Sequence, residues 1–410
     1  MGWEQLQRGV RLPIDPAITV PPLTEVALPV PWTRPVDDVE TAARDEVTRR
    51  LASAVEPGMT VAVGAGSRGL TARVELLRGT IAALRGLGAE PFVVPAMGSH
   101  GGATADGQQA MLAALGVTAD SVGAEIRSTM ETVIVARDHA GRPIHLDTHA
   151  AGADRILPVN RVKPHTAFHG PIESGCTKMA VVGFGKQPGA AHFHASGAGE
   201  MRARLADGVD ALRSRLLGGV ASVEGPTGDV VTVRALAAHE VGDSAEQELT
   251  EQARALVPKL PFDEIDVLVI ERGGKDISGT TLDPNVTGRF WIAGLDDPPS
   301  PKVSMIVLLG LTDVTAGNVL GIGFADFVPA ALAAQIDWSA TYLNSFTAGG
   351  TGVRRARLPM VLPDDESCIR AAMATCGRPL DQPRRIVRIE STLHLDRCWV
   401  SDALLAEVPS

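Results

Sequence analysis

The sequence has few of the residues that mark disulfide-rich, membrane or nucleic-acid-binding proteins. Its four cysteines form no CxxC pair, which disfavours a disulfide framework, a zinc ribbon or a cysteine-held cluster. The net charge of −10 and the absence of long basic runs disfavour a nucleic-acid surface. No window approaches the ~20 apolar residues that span a bilayer, and the N-terminus has no signal-peptide core. These absences predict a cytoplasmic protein without membrane or nucleic-acid partners, and they leave its oligomeric state open.

Lysine is also scarce, and its few occurrences are clustered. Six Lys accompany 32 Arg, so Arg serves wherever a general positive charge is needed. Three of the Lys and four of the ten His lie between residues 160 and 194. The scarcity of Lys in this background favours a role that needs its deprotonatable, nucleophilic amine. The segment 160–194 is therefore the first candidate for a functional site.

The hydrophobic pattern predicts an α/β protein with two α/β domains and parallel or mixed sheets. Short apolar runs, including 59–65, 154–160 and 178–184, have flanking turn residues typical of strands, and helical patterns alternate with many of the strands. We expect an N-terminal domain over residues 1–258, a C-terminal domain over residues 264–410 and a ligand site in the cleft between them.

A glycine-rich turn, GAGSRG at residues 64–69, follows the first predicted strand and is expected to open a helix. This pattern is typical of dinucleotide-binding folds, although Glu90 stands before the second strand rather than at its end. The same turn also forms for geometric reasons alone. It places Ser67 and Arg68 at the carboxyl end of a strand, where Arg68 could hold a carboxylate or phosphate.

Two histidines follow apolar strands and are candidate acid/base groups. His100 comes just after the second strand, and His165 follows the strand 154–160. In a parallel sheet both lie on the same edge. The simpler alternatives are that His100 caps the helix near Ala103 and that the nearby His169 is a solvated loop residue.

The sequence ESGCTK resembles a short phosphate-cradling turn. Ser174, Gly175 and Thr177 offer N–H and hydroxyl donors, and Lys178 opens the predicted strand 178–184. Partial burial would lower the pKa of the Lys178 amine. Lys186 follows that strand as a phosphate partner or an exposed residue.

Two further segments offer ligands. His192 and His194 in HFH point the same way on a strand, like a metal clip, but diverge on a helix. With few other ligands nearby, one His completing the sphere of a cofactor-held metal fits better. The segment 271–289 carries Lys275 and Arg289, which could supply a cation from the second domain, or it is a long structural loop.

Taken together, these segments resemble the lactate racemase family, the nickel-pincer-nucleotide hydroxyacid racemases and epimerases. GSRG is similar to the family's N-terminal Arg turn, MGSH to its glycine-flanked catalytic His, and PH…SGCTKM to its PH…SGG-Lys-Met segment. The His sixteen residues past that Lys falls at His194. The form KPHTxFxGPxESG, with DxSGTxxDPNVxGR later, resembles a divergent subgroup of the family.

The resemblance implies a site and a cofactor, a pyridinium-3,5-bisthiocarboxylic acid mononucleotide that holds nickel. It implies His194 as nickel ligand, with His192 beside it, and Lys178 as the Lys that can attach to the cofactor through a thioamide. Ser174, Gly175, Thr177 and Lys186 would contact the cofactor. His100 would be one acid/base and His165 or His169 the other, while Ser67, Arg68, Lys275 and Arg289 would bind the substrate.

The predicted activity is racemisation or epimerisation of a small 2-hydroxy acid by reversible hydride transfer. Removing the α-proton next to a carboxylate is difficult, whereas hydride transfer needs only a base for the hydroxyl proton, and a His with a pKa near ~6.5 suits that role. A second His on the opposite face permits return with inversion. The alternatives are an NAD(P)-dependent oxidoreductase that uses the glycine turn and a non-catalytic protein that binds the cofactor or a sugar acid.

Overall fold

The computed structural model describes residues 2–67, 69–195, 197–292 and 296–409. The chain divides into two compact units. The central unit comprises residues 32–256, and the terminal unit comprises residues 1–31 and 257–410. We describe each unit by itself.

The described residues form strands and helices in the following order. The strands are β1 (Thr24–Ala27), β2 (Thr60–Ala65), β3 (Glu90–Pro95), β4 (Thr132–Arg137), β5 (Pro143–Asp147), β6 (Arg155–Val162), β7 (Gly218–Glu224), β8 (Val230–Ala237), β9 (Glu264–Gly273), β10 (Lys302–Leu311), β11 (Phe327–Pro329), β12 (Met360–Leu362), β13 (Ile386–Ile389) and β14 (Arg397–Val400). The helices are α1 (Gly2–Arg8), α2 (Val39–Leu51), α3 (Arg73–Gly86), α4 (Ala105–Ala114), α5 (Ala119–Val122), α6 (Thr148–Gly152), α7 (Gly175–Lys178), α8 (Lys186–His194), α9 (Met201–Leu212), α10 (Ser244–Ala255), α11 (Pro284–Thr287), α12 (Ala330–Ala333), α13 (Trp338–Thr347), α14 (Gly349–Arg355) and α15 (Asp365–Thr375).

The central unit is built on a five-stranded sheet in the order β3-β2-β6-β7-β8. The first four strands of this order are parallel, and β8 closes the edge antiparallel to β7. The strands β4 and β5 form a separate antiparallel pair. Because β3, β2 and β6 run in the same direction, the loops that follow them leave from one edge of the sheet.

Both faces of this sheet are buried, as expected for parallel strands. Along β2, Val61 and Val63 belong to one hydrophobic cluster, and Ala62 between them belongs to the other. The same alternation places Leu157 of β6 on the first face and Ile156 on the second. The period of two along each strand thus produces two cores from one sheet.

The apolar segment 178–184 is helical, which corrects the predicted strand. Helix α7 continues into a π-helical turn, Met179–Gly183, and α8 begins at Lys186. Every residue of the π-helical turn is buried, so the segment lacks the polar face that distinguishes an amphipathic helix in a sequence. A short apolar run of this kind does not discriminate a buried strand from a buried helix.

The terminal unit contains a mixed seven-stranded sheet in the order β1-β14-β13-β9-β10-β11-β12. Strands β13, β9, β10, β11 and β12 are parallel, while β1 and β14 are antiparallel neighbours at one edge. The predicted N-terminal domain of residues 1–258 included residues 1–31, but the structure places that segment in the terminal unit. The physical reason is that β1 pairs with β14, a pairing between distant segments that has no local sequence signal.

The predicted α/β class, with parallel and mixed sheets, is confirmed. Among the described residues, no helix is both long enough and apolar enough to cross a membrane.

Candidate functional site

The candidate site lies at the carboxyl edge of the central unit's parallel strands. Ser67 follows β2, His100 follows β3 and His165 follows β6, and β2 lies between the other two strands. Gly66, in the loop after β2, is closely packed, because a Cβ on it would lie 3.1 Å from the Met179 side chain. The carboxyl edge of parallel strands is where α/β proteins bind their ligands.

His100 is paired with a hydroxyl group. Its Nδ1 lies 2.6 Å from Ser67 Oγ, so the end of β2 holds the imidazole that follows β3. The alternative role of His100 as a helix cap holds by position only: His100 precedes the short 3-10 helix Gly101–Ala103, but its side chain makes no capping hydrogen bond. Helix α4 is capped by Thr104, which accepts the Gly107 N–H at 3.1 Å. The backbone of the His100 loop is fixed by Gln108, whose Nε2 donates to the carbonyls of Gly98 and His100.

Lys186 stabilises the same loop from inside the protein, which corrects its predicted contact with a cofactor phosphate. Its side chain is fully buried, and the ammonium lies 3.0 Å from Asp147 Oδ2 and 2.9 Å from Gln108 Oε1. It also donates to the Pro95 carbonyl at the end of β3. Burial lowers the pKa of Lys186, and Asp147 opposes that shift. Its burial and these three partners give Lys186 a structural role.

His165 and Lys178 are brought together, although thirteen residues separate them. Lys178 Nζ is hydrogen-bonded to His165 Nε2. On the other side of the ring, His165 Nδ1 accepts the Ala167 N–H at 3.0 Å. The imidazole also packs on Phe168, with ring centroids 4.4 Å apart. The His165 imidazole, which follows β6, and the Lys178 amine, which comes from the last residue of α7, are therefore in direct contact.

Glu173 organises the loop that carries His165. Its carboxylate is fully buried and accepts N–H groups from His165 at 2.6 Å and Gly170 at 2.9 Å. It also contacts His169 Nδ1 at 3.2 Å and pairs with Arg254 of α10. Burial raises the pKa of Glu173, but the hydrogen bonds from His169, Arg254 and the backbone outweigh burial and lower it. Glu173 is therefore a buried anion that fixes the loop backbone.

The phosphate-cradling turn predicted at 174–177 is filled by the protein itself. The carboxylate of Glu246, from α10, accepts the Thr177 N–H at 3.0 Å and the Thr177 hydroxyl at 2.6 Å. Ser174 Oγ accepts the Lys163 N–H at 2.7 Å, and a Cβ on Gly175 would lie 2.5 Å from Glu246 Oε1. The predicted contacts of Thr177, Ser174 and Gly175 with a cofactor phosphate are therefore not supported, because the Glu246 carboxyl group already accepts the hydrogen bonds that this turn offers.

Cys176, in the same turn, is buried and chemically quiet. Burial raises the pKa of its thiol well above the usual value, and the nearby Glu246 adds to that effect. A thiolate nucleophile at this position is therefore disfavoured.

The two histidines of HFH lie on helix α8, not on a strand. Residues two apart on a helix are rotated by ~200°, so His192 and His194 cannot form a clip. His192 is exposed, with Nδ1 2.9 Å from the Pro188 carbonyl, and its ring stacks on His145. His194 is half-buried and meets Phe193 edge-on at 5.2 Å. The described residues contain no group of three or more His, Cys, Asp or Glu side chains that could hold a metal.

The glycine turn after β2 differs from a dinucleotide-binding loop. Helix α3 begins only at Arg73, so the turn does not lead directly into a helix N-terminus as predicted. Gly64 lies inside β2, where a Cβ would be 2.5 Å from the Phe184 ring, so close packing explains this glycine. The predicted substrate-binding residue Arg68 lies outside the described residues.

In the terminal unit, one of the two predicted substrate contacts is structural. The Arg289 guanidinium is buried and donates to the carbonyls of Phe324, Val303 and Ser304 and to the Asp326 carboxylate. Because these acceptors already bind the guanidinium, the predicted contact of Arg289 with a substrate is not supported. Lys275 is half-buried at the end of β9, with Nζ 3.0 Å from the Gly279 carbonyl, and its role stays a prediction.

Four side chains that the sequence analysis did not select support the candidate site. They are Gln108, Asp147, Glu173 and Glu246, and each is fully buried. Glu173 had a local signal, because a charged residue stands inside the otherwise apolar and small segment GPIESGC. The other three make their contacts with Lys186 or Thr177 across 39 or more residues of the chain, so no local pattern reveals these contacts.

Comparison with family models and with curated proteins gives no match. Comparison with solved structures gives two relevant similarities. The lactate racemase apoprotein from Thermoanaerobacterium thermosaccharolyticum is 13% identical with a TM-score of 0.46, over 84% of this chain and 99% of that one. A structural genomics target from Thermotoga maritima is 11% identical with a TM-score of 0.51, over 79% of this chain and 84% of that one. The second similarity supports the α/β fold.

Proposed function

We propose that the protein is an isomerase that racemises or epimerises a 2-hydroxy acid by reversible hydride transfer. The observation that carries this proposal is the pair of imidazoles at the carboxyl ends of β3 and β6, on either side of β2. Each imidazole is hydrogen-bonded to a second proton carrier, the Ser67 hydroxyl or the Lys178 amine. Two bases at one sheet edge can accept the hydroxyl proton from either enantiomer of the substrate.

The chemistry assigns a simple task to each His. As hydride leaves the α-carbon, one imidazole takes the hydroxyl proton, which avoids a carbanion next to the carboxylate. The resulting carbonyl is planar, and the second imidazole serves the opposite face when the hydride returns with inversion. Ser67 orients His100, and Glu173 orients His165 through its backbone N–H. His169, bonded to Glu173, remains the alternative second base.

A hydride acceptor is also required, and the resemblance described above suggests the nickel-pincer nucleotide. Its pyridinium ring supplies hydride acceptance and return when bound. Two residues fit such a group: Lys178, whose amine is hydrogen-bonded to His165, and His194, which offers one imidazole. A nickel ion would take most of its ligands from the cofactor itself. The turn at 174–177 does not fit the nucleotide phosphate, because Glu246 occupies it.

The proposal is tested with protein made in a host that synthesises the cofactor. Single enantiomers of lactate and larger 2-hydroxy acids are incubated in D₂O and analysed by chiral chromatography and mass spectrometry. We expect racemisation or epimerisation with the α-hydrogen retained, because hydride transfer does not exchange with solvent. Deuterium at the α-carbon would indicate a carbanion mechanism and contradict the proposal. Intact mass and metal analysis report the nucleotide and nickel in the same sample.

Variants separate the proposal from its alternatives. His100→Ala and His165→Ala should each lower the rate by ~10²–10⁴-fold, the usual contribution of a general base. His139→Ala changes an exposed His in the turn between β4 and β5 and should leave the rate unchanged. Reduction of added NAD would support an oxidoreductase. Tight binding of a sugar acid without turnover, unaffected by both His variants, would support a binding protein.

A further inference from the structure

We propose that an exposed apolar face of helix α13 is the contact through which two copies of this chain form a symmetric dimer. The face consists of Tyr342, Leu343 and Phe346, and we call it the α13 face. This inference concerns self-association and is independent of the proposed isomerase activity. Three observations support it: the orientation of the helix, its lack of charge and the apolar area that it exposes.

Helix α13 directs its hydroxyl groups toward the protein and most of its large apolar side chains toward solvent. The fully buried positions are Thr341 and Ser345. The Thr341 hydroxyl accepts the Val319 N–H at 3.0 Å, and the Ser345 hydroxyl donates to the Thr341 carbonyl at 2.6 Å. These hydrogen bonds fix which side of the helix faces inward. A surface helix normally has the opposite arrangement, with its apolar stripe against the core.

The three side chains of the α13 face form one continuous surface. Residues three and four apart are neighbours on a helix, so Phe346 lies next to both Leu343 and Tyr342. The exposed fractions are 79% for Phe346, 58% for Tyr342 and 53% for Leu343. The Tyr342 ring also packs on Trp338, with ring centroids 5.4 Å apart. Single exposed apolar residues are normal in proteins, whereas a continuous apolar patch marks an interaction site.

The charge pattern indicates that the partner is a second copy of this chain. Residues 338–353, which comprise α13 and most of α14, contain no Asp, Glu, Lys, Arg or His, although 21% of the chain is charged. A chain with a net charge of −10 repels its own copies. In a two-fold dimer the same surface meets itself, so a charge near the axis would lie close to an identical charge. An uncharged apolar face is therefore what self-association of this chain requires.

A lipid surface fits the α13 face less well than a second copy does. Helices that lie on membranes usually carry Lys or Arg on their polar side, and these cations are attracted to anionic lipids. The polar residues of α13 are Ser, Thr, Asn and the Tyr hydroxyl. The net negative charge of the chain also opposes binding to an anionic bilayer.

The exposed area is sufficient for the core of a dimer interface. An aromatic side chain covers ~150–250 Å², so the exposed fractions of Tyr342 and Phe346 leave on the order of 250 Å² of aromatic surface. A two-fold contact buries this area in both copies, which gives about 500 Å² before Leu343 is added. Weak interfaces bury less than ~1,200 Å² in total. We therefore expect a dimer with an apolar core and a polar rim that dissociates on dilution.

Sedimentation velocity of the purified full chain tests the proposal between ~1 and ~100 μM, the range in which weak dimers dissociate. We expect a mixture of monomer and dimer in which the dimer fraction increases with protein concentration. A monomer at every concentration would overturn the proposal. Flotation of that monomer with vesicles of phosphatidylcholine and phosphatidylglycerol, abolished by Phe346→Ser, would assign the α13 face to a lipid surface instead.

Substitutions in the α13 face should weaken the dimer. Phe346→Ser should raise its dissociation constant by ~100-fold or more, because truncating a central interface aromatic costs about tenfold or more and a two-fold contact loses the ring in both copies. Leu343→Ser should also weaken the dimer. Its matched control is Ile134→Ser, because Ile134 in β4 is likewise 53% exposed but lies outside the face. An unchanged dimer in Phe346→Ser, or equal weakening by Ile134→Ser, would overturn the proposal.

Cross-linking tests the contact with the α13 face intact. Ser339 is exposed and lies one helical turn before Leu343, at the border of the face. The four native cysteines are buried, so Ser339→Cys introduces an accessible thiol. A short bismaleimide should join two copies of this variant, with each thiol adding to one maleimide double bond. It should not join copies of Ser244→Cys, which carries its thiol on the exposed first residue of α10.

The cross-linking result also decides the proposal if the Phe346→Ser and Leu343→Ser chains fail to fold. Failure of Ser339→Cys to cross-link at concentrations where the wild type is dimeric would show that the dimer forms through another surface. Equal cross-linking of Ser339→Cys and Ser244→Cys would indicate random collision, and it would overturn the proposal as well.

Discussion

At the residue scale, the loops of the candidate site depend on two buried charged residues, Glu173 and Lys186. His100 and His165 could be selected from the sequence because each follows a predicted strand, and parallel strands share an edge. Glu173 and Lys186 act from beneath these loops. Burying a carboxylate costs desolvation free energy, and the hydrogen bonds from several N–H groups offset that cost. Removing the carboxylate should therefore lower the free energy of unfolding measurably.

Glu173→Gln tests this anchor. The amide keeps the shape but loses the charge and one acceptor, so we expect a loss of ~1–3 kcal/mol in the free energy of unfolding at pH 7. Because the folded-state pKa of Glu173 is lowered, its contribution is fully present above the ordinary Glu pKa of about 4.3 and is lost as the pH falls through the folded-state value. Urea unfolding at pH 7 and at descending acidic pH should show the difference from wild type shrinking.

The control is Glu248→Gln, which alters the exposed pair of Glu248 with Arg234. That pair should contribute ~0–1 kcal/mol, as surface ion pairs do. An equal effect of the two substitutions at pH 7, or a Glu173→Gln effect that does not depend on pH, would show that Glu173 is not a charged anchor.

At the scale of elements, the sequence defined most helices and strands, and it failed where burial removed their patterns. Strand β7, with the sequence GGVASVE, was not predicted, because Gly, Ala and Ser outnumber its two Val and because six consecutive positions are buried, which removes the alternation between faces. The predicted strand at 178–184 is a helix for the related reason that all sides are buried. Lys178 is therefore the last residue of a short helix rather than the first residue of a strand. His192 and His194 likewise lie on a helix, so their side chains point in different directions.

Helix α7 should depend on close approach between Gly175 and Glu246. Gly175 has φ +74, and an added Cβ would lie 2.5 Å from Glu246 Oε1. Gly175→Ala should therefore cost ~1–2 kcal/mol for the left-handed backbone and a further amount for displacing the carboxylate. Gly141→Ala is the matched control, because Gly141 has φ +75 and nothing within 4 Å of the added Cβ. Urea unfolding should show a larger loss in the free energy of unfolding for Gly175→Ala than for Gly141→Ala. Equal losses would mean that the Glu246 side chain can move aside without a free-energy cost.

At the scale of the whole molecule, the composition and the alternation of strands with helices were enough to predict two α/β units. The distribution of the chain between them could not be predicted, because the first 31 residues join the terminal unit through long-range contacts. Strand β1 pairs with β14, and Arg370 of α15 donates to the Ile18 carbonyl at 2.8 Å. Pairing between segments so distant in sequence leaves no periodicity to detect.

Deleting residues 2–31 should therefore destabilise the terminal unit selectively. Without β1, the backbone N–H and C=O groups of β14 that face it become an open sheet edge, and the covering segment around Ile14, Ile18 and Leu23 is removed from the core beside α15. Hydrogen exchange followed by mass spectrometry should show amides of β14 and α15 exchanging ~10-fold faster or more, as expected when a few buried contacts are lost. The amides of β2 and β6 serve as the control in the same sample and should keep their protection. Unchanged exchange in β14 would show that the N-terminal segment does not hold this edge, and equal acceleration in β2 and β6 would show that the two units unfold as one.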